Sequence, residues 1–305
     1  MAYRTTPVDL NRHSNSMALP PELSRDIWTQ AYKSSAVMQL AQRVDLPGRG
    51  AGFPVLAGLP EAGFVAESAE KPVSAGTPTI KYMMPYKIAV IVPMSKEFVR
   101  DIEGMYEEIR RVLPVSLGIK FDDAVLNGPT PGTGFDTLAA VGFNSVNIAP
   151  DATGNTYQKL VAAASTIAYS TGASVNGIAI DAYGKGVLMS AVDAAGHPFF
   201  ANAADGQLGQ IIGARVAESP VEIAATDGDG NECFGWIGDW TKARYGLVND
   251  IEITVSDQAT LNDGNGGLIH LWQSNMLALR AECEIGFVVS EANAFTAIYA
   301  ATESE

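Results

Sequence analysis

The sequence predicts an α+β protein, and three features carry that expectation. A run from Ile80 to Met94 alternates like one long strand, and the stretch after it switches to helical period. The second half then interleaves short helices with short β-branched runs.

In the first feature the even positions read Ile80, Tyr82, Met84, Tyr86, Ile88, Val90, Val92 and Met94. Apart from Met83, Ala89 and Ile91, the odd positions between them are Lys or Pro. At about 3.4 Å per residue the run would reach roughly 48 Å if straight. A compact unit of 305 residues is only about 50 Å across. A strand as long as its own body needs an outside cover for its apolar face, unless Pro85 bends it into an ordinary sheet. Pro85 and Pro93 cannot donate ladder hydrogen bonds and point to edge strands or bends. Short strand-like pieces near Phe53–Leu56 and Gly63–Ala66 precede the run and suggest an extended antiparallel ribbon.

The second feature begins at Ser95, read as an N-cap before KEFVRD. Ile102, Tyr106, Ile109, Leu113, Leu117, Phe121 and Ala124 recur at spacings of three or four, with Gly128 as the stop. This predicts a helix of about 26 residues, kinked or split at Pro114. Its carboxylate pairs, Glu107–Glu108 and Asp122–Asp123, are expected on a solvated face.

In the third feature YQKLVAAASTIAYST reads as a helix capped by Asn155 or Thr156 and stopped by Gly172. VNGIAID is a short buried strand and AYGKGVLMSAV a helix. IIGARVAES, VEIAAT, CFGWIGDW and LVNDIEITVS read as strands, two of them joined through DGDGN. HLWQSNMLALRAECEIGFVVS reads as long strands with a turn near Glu284–Gly286, and AFTAIYA as a closing strand. Residues 1–34 form a polar arm with a short helix pattern at Ile27, Trp28 and Tyr32, followed by another at Val37, Leu40 and Ala41.

Composition narrows function. The chain is 47% hydrophobic and 18% charged, enough for a real core. No apolar run approaches a membrane span, and the opening residues lack a secretory h-region. Two cysteines do not make a disulfide framework, which fits a reducing interior. A net charge of −14 argues against a phosphate-gripping nucleic-acid binder.

Catalytic chemistry is hard to assemble from the remaining residues. His13, His197 and His270 stand in no zinc-binding pattern. DGDGNECFGWIG has Glu232 and Gly238 where a calcium loop requires Gly and Glu. GPTPGTG lacks the GK[ST] ending of a phosphate loop. Cys233 and Cys283 sit in apolar strand patterns as inert thiols. Trp236, Trp240 and Trp272 read as core. The sequence predicts no catalytic residue, cofactor or metal.

The order of segments resembles the major capsid protein family of tailed bacteriophages, with the Hong Kong 97-type fold. GFVAESAEKP resembles the family's extended-loop tip, and PYKIAVIVPMSKEFVRD its return strand. IRRVLPVSLGIKFDDAVLNG is similar to the spine helix, through Asp122, Ala124, Leu126, Asn127 and Gly128. IGDWTKARYGLVNDIEITVS and MLALRAECEIGFVVSEANAFTAI resemble its Gly-Asp-aromatic and closing strands.

The resemblance implies an N-terminal arm (1–52), an extended β-hairpin loop (53–94), a peripheral domain with spine helix and β-sheet (95–135 and 246–292), and a mixed α/β axial domain (136–245 and 293–305). It implies a non-enzymatic shell protein that assembles with itself as pentamers and hexamers around double-stranded DNA, without base-specific contacts or a membrane. Inter-subunit contacts are expected at Phe64, Glu67, Lys71, Lys81, Tyr82, Met84 and Tyr86. A separate scaffolding protein, a portal and a decoration protein are the expected partners, with assembly in the host cytoplasm. Lys71 and Lys81 lie where some members form a Lys–Asn cross-link. No matching partner stands out among Asn262, Asn265 and Asn275, so none is expected. Encapsulin shells share this fold and are the rival reading. A different class, an acidic sugar-binding or enzymatic β-protein, would use Trp236, Trp240 and Asp239.

Overall fold

The computed structural model describes residues 31, 34–57, 64–65, 71, 77–101, 105–139, 144–150, 154–192, 197–200, 208–227, 230–262 and 267–301. Ile27, Trp28 and Tyr32 of the expected arm helix, most of the loop tip and Asn265 lie outside them.

The Ile80–Met94 run divides in two. β2 (Ala51–Ala57) and β3 (Thr77–Met83) form a separate two-stranded hairpin, with Ala51 opposite Met83 and Ala57 opposite Thr77. β4 (Tyr86–Ser95) joins the body. There it pairs with β13 (Met276–Val289), with Tyr86 opposite Ile285 and Ser95 opposite Met276. Pro85, which has no N–H to donate, sits at the break.

The break also resets the pleat. In β3 the odd residue Met83 is buried while Ile80 and Tyr82 are exposed. In β4 the even residues Ile88, Val90, Val92 and Met94 face the core instead. A continuous strand would have kept one parity inward. The expectation of one uninterrupted amphipathic strand is corrected here. For β4 the cover comes from the chain itself.

That cover is a long helix. After the short helix α2 (Lys96–Asp101), α3 (Met105–Leu126) runs 22 residues without interruption. Pro114 lies inside it and does not split it. Leu113, Leu117 and Phe121 are buried, as their spacing requires. Leu113 and Leu117 pack with Met94, Ile251, Leu277 and Leu279. Ser95 does not cap α2 through its side chain, because its buried hydroxyl has no hydrogen-bond partner.

The sheet beneath α3 has the order β1-β10-β13-β4, from β1 (Gln42–Asp45) and β10 (Ala243–Ser256) to β13 and β4. β1 is parallel to β10, and the other pairs are antiparallel. β13 passes straight through Glu284–Gly286, so the turn expected there is corrected. The chain turns at Leu271–Asn275 instead, after the small hairpin β11 (Thr260–Asn262) and β12 (Leu268–His270).

The second sheet has six strands in the order β5-β14-β9-β6-β8-β7. They are β5 (Asn144–Asn147), β6 (Gly177–Ile180), β7 (Gln210–Ile211), β8 (Ala214–Glu218), β9 (Gly235–Gly238) and β14 (Phe295–Tyr299). Helix α4 (Thr156–Thr171) begins with a capping box between Asn155 and Gln158 and ends at left-handed Gly172, as its sequence foretold. Helix α5 (Ala182–Met189) is capped by Asp181. Leu160, Ile167 and Leu188 pack on the isoleucine face formed by Ile178, Ile180, Ile237 and Ile298. IIGARVAES folds as the tight hairpin β7–β8 around Ile212 and Gly213, not as one strand. VEIAAT forms only a bridge from Thr226 to Glu232.

Asp122 corrects the expectation of a solvated helix face. It is fully buried on α3 and accepts hydrogen bonds from Ser35 Oγ, from the Ala36 and Val37 amides (2.7 and 3.3 Å) and from Ser219 Oγ (3.2 Å). It thereby ties α1 (Ala36–Leu40) and the end of β8 to the long helix. Burial outweighs these four donors and pushes its carboxyl up to about 6. Asn127, one turn on, donates to the Glu222 carbonyl and accepts from the Ala224 amide.

Candidate assembly interface

The hairpin β2–β3 has two unlike faces. Its inner face, with Ala51, Phe53 and Met83, packs against Leu46, Val248 and Val288. The Arg244 guanidinium lies 5.5 Å from the Phe53 ring centroid. Its outer face carries Ile80 (56% exposed) and Tyr82 (64%), flanked by Pro54 and Gly52 in the register Gly52↔Tyr82 and Pro54↔Ile80. Both side chains lean over Gly52, where a Cβ would stand 2.9 Å from Ile80 Cγ2. No charge interrupts this patch, and among the described residues nothing lies over it. Exposed apolar surface of this kind is a candidate contact site.

The residues expected at an inter-subunit contact divide accordingly. Tyr82 is exposed, Met84 is 40% exposed, and Phe64 and Lys71 are exposed, while Glu67 lies outside the described residues. Lys81 turns inward, donating to Asp136 Oδ2 (3.2 Å) and to the Val289 carbonyl (2.7 Å). Tyr86 donates its hydroxyl to the Thr133 carbonyl (2.8 Å) and packs edge-on against Phe135. Lys81 and Tyr86 thus already have partners in their own chain. Ile80 was missed, although the alternation placed it on the same face as Tyr82.

No other place offers reaction chemistry among the described residues. Burial pushes the Cys233 thiol up to about 11 and that of Cys283 to about 12, so both stay protonated and inert. His270 meets Thr260 within the β11–β12 hairpin. A depression of about 260 Å³ lined by Tyr157, Phe199, Phe200, Leu208 and residues 209–212 has no carboxylate, imidazole or thiol among these lining residues. Among the described residues no group of three His, Cys, Asp or Glu could hold a metal, and no helix is long and apolar enough to cross a membrane.

The sugar-binding reading is also corrected. Trp236 and Trp240 are buried in the core, and buried Asp239 accepts from Asn176 and Thr241 to cap the turn Trp240–Lys242. Trp272 was expected in the core but is 71% exposed. It stands in the 271–275 turn, with Lys96 Nζ 5.7 Å from its ring centroid.

Among the described residues the feature that stands out is a bare apolar ribbon, the kind of surface that meets other chains. Residues 15–299 match the phage capsid family, and the chain belongs to it. It is similar to the probable major capsid proteins gp17 of Mycobacterium phage D29 (29% identical, covering 92% of this chain and 89% of the relative) and of Mycobacterium phage L5 (28%, 91% and 87%). Among solved structures it resembles a chain from Mycobacterium phage Ogopogo, with a TM-score of 0.71 at 20% identity over 99% and 100% of the two chains. It also resembles the capsid of an empty GTA particle computed with C5 symmetry, with a TM-score of 0.65 at 14% identity over 97% and 96%.

Proposed function

We propose that this phage major capsid protein builds its shell on the Hong Kong 97-type plan, as pentamers and hexamers closing an icosahedral head around double-stranded DNA. The observation that carries this reading is the bare outer face of β2–β3. In a lone chain Ile80 and Tyr82 remain in water; in a shell a neighbouring copy covers them, with Met84, Phe64, Glu67 and Lys71 completing the contact. A two-stranded ribbon is marginal by itself, and a second copy on its outer face gives it the missing layer. Lys81 and Tyr86 serve the contact from the root of the ribbon by holding it to its own body.

On this plan the extended loop, expected over 53–94, is the ribbon as far as its root at Met84, while β4 belongs to the sheet of the body. Residues 95–135 with 246–292 are the peripheral domain around the spine helix α3, and 136–245 with 293–305 the axial domain at the capsomer centre. The net charge of −14 suits a wall that lies beside packaged DNA without gripping it. A separate scaffolding protein, a portal, a decoration protein and assembly in the host cytoplasm complete the proposal.

Electron microscopy of the expressed protein tests it. The expected result is closed shells with five-fold vertices; a protein that stays monomeric at high concentration under assembly conditions would refute it.

A further inference from the structure

The loop 128–136, first singled out as a glycine-rich stretch without a phosphate-loop ending, lies against the root of the hairpin. The Met84 amide donates to the Gly134 carbonyl (2.8 Å), in the two-residue break between β3 and β4. Tyr86 Oη donates to the Thr133 carbonyl, and the Tyr86 ring meets Phe135, itself buried among Phe121 and Phe287. Lys81 Nζ reaches Asp136 Oδ2, an oxygen that also accepts from the Val289 amide (3.0 Å). The loop is braced internally, with the Thr130 hydroxyl 2.8 Å from the Phe135 carbonyl.

Below the root lies a glycine notch. Gly246 of β10 and Gly286 of β13 are register partners, and the fully buried Met83 side chain lies over both. A Cβ on Gly246 would stand 2.7 Å from Met83 Sδ, and one on Gly286 would stand 2.8 Å from Met83 Cγ. At Gly134, with φ +82°, a Cβ would be 2.6 Å from Met84 Cγ. The glycines leave room for the Met83 and Met84 side chains, and a Cβ on Gly286 would also stand 2.9 Å from the Met84 carbonyl oxygen. The contacts converge on residues 81–86 from the loop after α3, from β10 and from β13.

We propose that loop 130–136 and the Gly246–Gly286 notch form a socket that sets the angle at which the β2–β3 hairpin leaves the body, making Asp136, Gly134 and Met83 positioning residues for the inter-subunit contact. The link between angle and assembly rests on the proposed role of the hairpin. The socket itself does not. A ribbon of two strands has too little packing of its own to hold a direction. Here an ion pair, a backbone hydrogen bond, an aromatic contact and a buried methionine fix it at four points. Because the loop begins where the long helix ends, a shift of α3 would be transmitted to the hairpin.

The test uses the full chain with Asp136→Asn and, separately, Lys81→Met, which removes the ion pair while keeping an unbranched side chain. Gly134→Ala probes the close approach, and the two polar variants keep the test decisive if the glycine variant fails to fold. Hydrogen exchange of unassembled subunits should quicken about tenfold or more at 51–57 and 77–83, while α4 and β6 keep their protection. The same variants should give shells of mixed size and shape instead of uniform ones. Unchanged exchange in the hairpin, or equal loosening of the whole body, would overturn the socket. Faster hairpin exchange with uniform shells would refute the link between angle and assembly. Tyr82→Asp separates the two ideas: if it assembles normally, the contact reading fails while the exchange result still judges the socket.

Discussion

Residues 80–84 and 86–94 are two halves of one alternating pattern with opposite fates. In the second half the even residues meet Leu113, Leu117 and Leu279, so the chain buries them itself. In the first half the even residues Ile80 and Tyr82 stand in solvent, and odd Met83 goes inside. The residue types barely differ. What differs is the partner strand: ten residues of β4 lie along β13, whereas β3 has only β2. Alternation tells which residues share a face. It does not tell what lies against that face, and a two-residue break with a proline is enough to exchange inside for outside.

Substitutions in the two halves should separate folding from assembly. The largest effect is expected from Met94→Asp. It places an unpaired charge in the core under α3 and should cost about 4 kcal/mol or more. Chemical denaturation, or failure to recover soluble subunits, would show it. Tyr82→Asp should leave the unfolding midpoint of free subunits nearly unchanged. Losing one large aromatic from the contact, about 1.5–3 kcal/mol, should raise the concentration needed for assembly about tenfold to a hundredfold. Light scattering reads that threshold. Equal effects of the two substitutions on folding would erase the distinction between the halves.

A pH-dependent effect belongs to Asp122. Its folded carboxyl is raised to about 6 from an ordinary value of 3.8, so the folded state holds the proton more tightly than the unfolded chain. The stabilisation is therefore fully present below about pH 4 and is lost as pH rises through about 6, by about 3 kcal/mol. Asp122→Asn removes this dependence. It also turns an NH2 toward one of four donors, so it should be less stable than the parent throughout. Denaturation of both proteins from pH 4 to 7 gives the difference curve, which should shift in favour of the variant as pH rises.

Much of the fold was legible because its signals are local. Asn155 and Gly172 bound α4, the three-and-four spacing gave α3 its buried stripe, and a buried fate was right for Trp236, Trp240 and both cysteines. The failures have a common cause in long-range packing. Nothing near Asp122 in sequence announces Ser35 and Ser219, the partners that allow a carboxylate inside. The turn assigned to Glu284–Gly286 rested on Gly286, a residue that instead makes room for Met83. Trp272 carries the residue type of a core position but stands in a turn. The exposed face of the ribbon was half legible. Tyr82 and Ile80 share a face by alternation, whereas Lys81 and Tyr86, in the same alternating run, are claimed by Asp136, Val289 and Thr133 of their own chain.

Oxidative footprinting of Tyr82 tests the central claim most directly, comparing dissociated subunits with intact shells and using buried Met94 as the internal standard. Tyr82 should be readily modified in subunits and strongly protected in shells, while Met94 stays protected in both. Equal modification of Tyr82 in the two states would mean that no neighbour covers the ribbon.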